Sequence, residues 1–175
     1  DYRRNSLQSL DGVKIYRDGE LIQDIKTNEV GREMIWTDEN NLSTGNHIYR
    51  VLAYNNNGDG LWKERKAFAG IDVPGAVKNV TYEVAGDRVT INWEAPERGK
   101  NNGFYDTESL TYDVFRGTYK IASALTATTI EDKVNYYDQY VYKIVPVTKE
   151  GEGDPCETII SFGPATELPY GNKLS

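Results

Sequence analysis

The sequence predicts an all-β chain in two consecutive units, and three observations carry that prediction. Short runs alternate apolar and polar residues with period two, and each ends in Gly, Asn, Asp or Pro, the pattern of strands and turns. The aromatic set is dominated by 13 Tyr and is joined by 16 Gly, a composition that suits sheets better than helices. An internal repeat, with its copies offset by 93 to 99 positions, divides the chain in two.

The strand candidates follow in order. Val13 and Ile15, then Leu21 and Ile25, flank a turn at Arg17-Asp18-Gly19. Tyr49, Val51 and Ala53 alternate with Arg50 and Leu52. Val89, Ile91 and Trp93 alternate with Arg88, Thr90 and Asn92. Tyr112 and Val114 flank Asp113, and Tyr140, Tyr142 and Ile144 alternate with Val141, Lys143 and Val145. Side chains spaced by two share one sheet face, so each run has one apolar face to bury. Residues 123–132 form the one weak helical candidate, and Thr126, Thr128, Thr129 and Ile130 favour an extended chain there.

Ser9-Leu10-Asp11-Gly12-Val13-Lys14-Ile15-Tyr16-Arg17 reads like Ser109-Leu110-Thr111-Tyr112-Asp113-Val114-Phe115-Arg116. Tyr49-Arg50-Val51-Leu52-Ala53 reads like Tyr142-Lys143-Ile144-Val145-Pro146, and a Gly-x-Gly turn follows each, Gly58/Gly60 and Gly151/Gly153. Gly70, Pro74 and Gly75 punctuate the segment between the copies and mark the boundary.

On these motifs the second unit resembles a fibronectin type III domain. Pro74-Gly75-Ala76-Val77-Lys78-Asn79-Val80-Thr81 is similar to its strand A and Val89-Thr90-Ile91-Asn92-Trp93-Glu94-Ala95-Pro96 to strand B with its core Trp. Tyr112-Asp113-Val114-Phe115-Arg116 is similar to strand C, and Tyr140-Val141-Tyr142-Lys143-Ile144 with Gly151 and Gly153 to strand F and its turn. The style resembles modules of secreted and cell-surface proteins of the Bacteroides group. The resemblance implies two immunoglobulin-like (fibronectin type III) β-sandwiches in tandem, the first lacking strands A and B. Residues 1–71 would carry strands C to G, counted as C, C′, E, F and G. Residues 72–166 would be a complete domain and 167–175 a linker to a following module. A sandwich without two strands exposes half its core face, so the missing strands are expected upstream or from another chain.

A net charge of −7 argues against nucleic-acid binding, which wants a basic face. No apolar run reaches the ~20 residues of a membrane helix, so no membrane insertion is expected of this chain. Cys156 is the sole cysteine; it forms no intrachain disulfide, and Asp154 and Glu157 beside it oppose a reactive thiolate. His47 is the sole histidine, and no Gly-x-Ser-x-Gly elbow accompanies it, so nucleophilic catalysis has no assembled set. No catalytic, cofactor-binding or metal residue is assigned and no cofactor is expected. Asn55-Asn56-Asn57-Gly58-Asp59-Gly60 imitates the start of a calcium loop, but Lys66 stands at the twelfth position, where a bidentate Glu is needed, and a strand-connecting turn is the stronger reading.

Trp93, Tyr112, Tyr140 and His47 read as structural. The resemblance implies that Tyr140 forms a tyrosine corner, with its hydroxyl tied to upstream backbone, and His47 holds the equivalent place four residues before Val51. Phe104, Tyr105, Asn101 and Asn102, in the long loop 97–107, are the candidates for ligand contact or for packing on the hinge between units. Tyr119, Tyr136 and Tyr137 are expected as half-buried strand ends. The function expected is a non-catalytic spacer and interaction module of a larger bacterial surface protein, extracellular, with other modules of the same polypeptide as neighbours and protein or glycan ligands as partners. The alternatives are an adhesin or glycan-binding module and an accessory region of a secreted hydrolase.

Overall fold

The structure, a computed structural model, describes residues 9–163; the expected linker at 167–175 lies outside them. All regular elements of the described residues are β-strands in antiparallel sheets, with no helix among them. The chain divides into two compact units, Asp1–Gly70 and Ile71–Ser175.

The first unit is one four-stranded sheet in the order β2-β1-β3-β4. Strands β1 (Gly12–Arg17) and β2 (Glu20–Lys26) meet at Asp18 and Gly19, whose φ angles of 51° and 89° suit the tight turn of a two-residue hairpin. Strands β3 (Gly45–Asn55) and β4 (Gly58–Ala69) follow. Alternation sends Val13, Ile15, Tyr49 and Val51 to one face, where Ile15 lies opposite Val51 and Arg17 opposite Tyr49.

The strand expected between C′ and F does not form: residues 27–44 are irregular. Its counterpart in the second unit pairs with a strand that has no equivalent among the described residues of the first, so its backbone finds no ladder there. One carboxylate anchors the middle of the segment. Asp38 accepts the Tyr49 hydroxyl at 2.7 Å and pairs with Arg17 at 2.6 Å. The Tyr49 bond above all, with help from Asn40 and Arg17, holds the Asp38 carboxyl well below the usual carboxylate range.

The second unit has two sheets. One holds β5 (Lys78–Ala85), β6 (Arg88–Glu94) and β9 (Thr129–Lys133) in the order β5-β6-β9. The other holds β7 (Thr111–Arg116), β8 (Tyr119–Leu125), β10 (Gln139–Thr148), β11 (Gly151–Glu152) and β12 (Cys156–Ser161). Its order is β11-β10-β7-β8, with β12 on β10. Residues 123–132 thus form no helix: β8 runs to Leu125, a bend covers 126–128, and β9 begins at Thr129. Both sheets feed one core: Val89, Ile91 and Trp93 from β6 meet Tyr112 and Val114 from β7, Tyr142 and Ile144 from β10, and Ile160 from β12. This is the arrangement of a β-sandwich. Each fully buried aliphatic side chain contributes about 2 kcal/mol, and Trp93 meets Tyr112 edge to face with ring centroids 5.4 Å apart.

The knot of the first unit recurs in the second. Asp132 of β9 accepts the Tyr142 hydroxyl at 2.6 Å and pairs with Arg116 at 2.7 Å. Both sets join the end of one strand, the neighbouring strand and the segment opposite. Tyr119, Tyr136 and Tyr137 are exposed rather than half-buried, because they stand at turns where no facing sheet covers them.

Candidate functional site

The loop 97–107 of the second unit is built around Asp72, a carboxylate buried to 1 % exposure. Its Oδ2 accepts the backbone N–H of Asn101 at 2.7 Å and of Gly103 at 3.2 Å, and its Oδ1 accepts Asn101 Nδ2 at 3.0 Å and the Val73 N–H at 2.9 Å. A buried charge is tolerable when hydrogen bonds saturate it in this way. Gly99 is required beside it, because a Cβ there would overlap the Asp72 carboxylate. Asn102, at φ 64°, turns the tip through the left-handed region, which Asn tolerates better than most residues.

Backbone bonds complete the clamp: Asp72 N–H to Phe104 O at 2.7 Å, Lys100 N–H to Val73 O at 2.9 Å, Gly75 N–H to Arg98 O at 2.9 Å and Asp154 N–H to Pro74 O at 3.1 Å. Gly153 passes so close to the Pro74 carbonyl that no side chain fits, which explains the second Gly of that Gly-x-Gly turn. At the far end of the loop Asp106 accepts Lys149 at 2.8 Å and Ser109 Oγ at 2.9 Å, bonds that lower its pKa to about 2.

The two loop aromatics part company. Tyr105 bridges Asp72 through the backbone, is half-buried, and its hydroxyl donates to Pro96 O at 2.6 Å. Phe104 is 77 % exposed and carries the Arg98 guanidinium over its ring at 5.2 Å. Tyr105 thus packs within its own unit, whereas Phe104 has a fixed backbone and a ring that faces solvent. Asn101 serves the clamp, and Asn102 the turn.

Trp93 and Tyr112 lie in the core. Tyr140 donates its hydroxyl to Tyr136 O, four residues upstream, at 3.2 Å. His47 bonds Ser43 O, also four residues upstream, through Nε2 at 2.9 Å, and Asp18 Oδ2 through Nδ1 at 2.7 Å. Both partners are acceptors, so only the doubly protonated ring satisfies both. The Ser43 carbonyl first and the Asp18 carboxylate second raise the His47 pKa above its ordinary 6.5. Cys156 is half-buried on β12, opposite Ile144. Residues 56–57 make the turn between β3 and β4, and the rest of 55–60 lies in the flanking strands.

Among the described residues no cluster of His, Cys, Asp and Glu could hold a metal ion, and no helix is long and apolar enough to cross a membrane. Sequence reading missed Asp72, Asp38, Asp132 and Arg98. A lone charge in the apolar stretch Gly70-Ile71-Asp72-Val73-Pro74 was the available signal for Asp72.

No family model matches the chain, and no curated protein matches it. Among solved structures, the Clostridium perfringens spore cortex lytic enzyme SleM is similar at 18 % identity over 50 % of this chain and 28 % of that one, with a TM-score of 0.40. That likeness is too low to carry an argument about fold or function.

Because the folded pKa of His47 lies above the unfolded one, the stability of its tie is fully present below pH 6.5 and is lost as pH rises through the folded value. NMR titration of this single histidine will give a pKa above 6.5, and Asp18→Asn will bring it down. A wild-type value at or below 6.5 contradicts the double tie.

Proposed function

We propose that the chain is a non-catalytic spacer and interaction region of a larger extracellular protein, built of tandem fibronectin type III-like sandwiches, the first incomplete. The observation that carries this reading is the way the chain enters the second unit. Residues 72–75 are stitched to loop 97–107 and to Asp154 by four backbone hydrogen bonds and the buried Asp72 carboxylate. Tension on the chain therefore meets a set of bonds that must break together. A short, Pro-containing entry of this kind is stiff. Both ring nitrogens of His47 are engaged in structural bonds, and Cys156 lies between acidic neighbours, which favours a mechanical role over a chemical one.

Pulling the chain from both ends in single-molecule force spectroscopy tests this. The second unit will unfold in one cooperative event. Asp72→Ala will speed that event by about tenfold or more, because buried N–H groups left without an acceptor cost about 1–3 kcal/mol each. Gradual peeling, or no effect of the substitution, would sink the spacer reading.

Phe104 favours a second reading, an adhesin or glycan-binding surface. A rigidly presented ring with a guanidinium on its face loses little entropy on binding. Binding on glycan or matrix-protein arrays will then fall about tenfold or more on Phe104→Ala, the loss typical of an anchor residue, and will survive Tyr105→Phe. Array binding that ignores Phe104→Ala rules this surface out.

A further inference from the structure

The sequence holds two Asn-Gly pairs, Asn57-Gly58 and Asn102-Gly103. An Asn followed by Gly readily loses its side-chain amide, because glycine has no Cβ to hinder the approach of its backbone nitrogen to the Asn side-chain carbonyl. That nitrogen attacks only after it sheds its proton. The fold treats the two pairs differently, and the difference lies in what holds the proton.

In the second unit the Gly103 N–H donates to Asp72 Oδ2 at 3.2 Å, and that carboxylate is buried. Deprotonation there gives up a bond to a charged acceptor and sets an amide anion against a carboxylate. The chain on both sides of the pair is pinned as well. The Asn102 N–H donates to Gly99 O at 2.9 Å, and the Gly99 N–H donates to Gly103 O at 2.8 Å. Gly103 is itself buried. Swinging its nitrogen onto the Asn102 side chain therefore disturbs the whole clamp.

In the first unit Asn56 and Asn57 form the turn between β3 and β4, and Gly58 meets Asn55 at the last rung of the ladder. Asn57 and Gly58 are exposed, and a Cβ at Gly58 would touch nothing. The end rung of a hairpin opens at little cost in free energy. The neighbouring carboxylate, Asp59, is engaged by Lys14 at 2.8 Å.

We propose that Asn57 is a site of spontaneous deamidation, and that the Asp72 carboxylate shields Asn102 from the same reaction. Water is the co-reactant. The Gly58 nitrogen loses its proton to hydroxide and bonds to Asn57 Cγ; the Cγ–Nδ2 bond breaks, and ammonia leaves. The cyclic imide then takes up water. Opening at Cγ leaves an ordinary aspartyl link, and opening at the main-chain carbonyl carbon leaves an isoaspartyl link, longer by a methylene. Nothing is oxidised or reduced. Either product adds a negative charge to the turn beside the Lys14–Asp59 pair, and the isoaspartyl form also displaces the rung between Asn55 and Gly58.

Peptide mapping by mass spectrometry of the full chain, held folded in mildly alkaline buffer, tests this, with enzymatic methylation of isoaspartyl groups as a second readout. Asn57 will convert about tenfold or more faster than Asn102, the factor expected when a charge-assisted hydrogen bond must break before reaction. In denaturant the two rates will converge. Asp72→Ala, with the amide signals of Ile91 and Ile144 showing that the second unit stays folded, will speed Asn102 conversion about tenfold and leave Asn57 unchanged. The comparison in denaturant decides the matter where that variant does not fold. The proposal is overturned if Asn57 converts no faster than Asn102 in the folded chain, if the gap persists in denaturant, or if a folded Asp72→Ala chain keeps Asn102 as slow as before.

Discussion

A β-sheet with one apolar face is stable only when something dry lies on that face, and this requirement organises both units. In the second it is met internally: β5 and β6 bring Val89, Ile91 and Trp93 onto Tyr112, Val114, Tyr142 and Ile144, and all of these leave water together. In the first the same sheet face exists, with the same alternation and the same pairing, and the covering pair of strands is absent among the described residues. The difference between Ile144 and Val51 in exposure follows from that one fact.

The Arg–Asp–Tyr knot forms in both units, although the described residues of the first provide only one layer. Arg116, Asp132 and Tyr142 join two neighbouring strands to a strand of the opposite sheet, and Arg17, Asp38 and Tyr49 repeat the bonds although Asp38 lies in no strand. Charge-assisted hydrogen bonds need only local geometry, whereas a strand needs a continuous ladder of partners. The segment around Asp38 therefore keeps its anchor and loses its regular conformation. Anchored at that point, Trp36 still reaches the face that Ile130 helps to cover in the second unit.

Much of this was legible from periodicity, because a two-residue repeat fixes which side chains share a face, and each of the alternating runs at Val13, Tyr49, Val89, Tyr112 and Tyr140 lies in a strand. The strand expected between Lys26 and Gly45 came from the family resemblance and from no alternating run of its own, and the residues 27–44 are irregular. Asp38 and Asp132, 94 positions apart, were within reach of the repeat already seen at Arg17/Arg116 and Tyr49/Tyr142. Six extra residues in the first copy hid the match. The split between Phe104 and Tyr105 was not legible. It depends on the buried Asp72 carboxylate drawing the loop backbone inward, a long-range contact that composition does not encode.

Native-state hydrogen exchange on this chain tests the central claim, that the second unit is a closed sandwich while the described residues of the first leave one sheet face uncovered. Amides of β6, β7 and β10 around Ile91, Val114 and Ile144 will exchange only through global unfolding of the second unit, whereas those around Ile15 and Val51 will exchange about a hundredfold faster or more, through openings that cost several kcal/mol less. Equal protection at Val51 and Ile144 would mean that the first unit already has a complete core, and the account of its open face would be wrong.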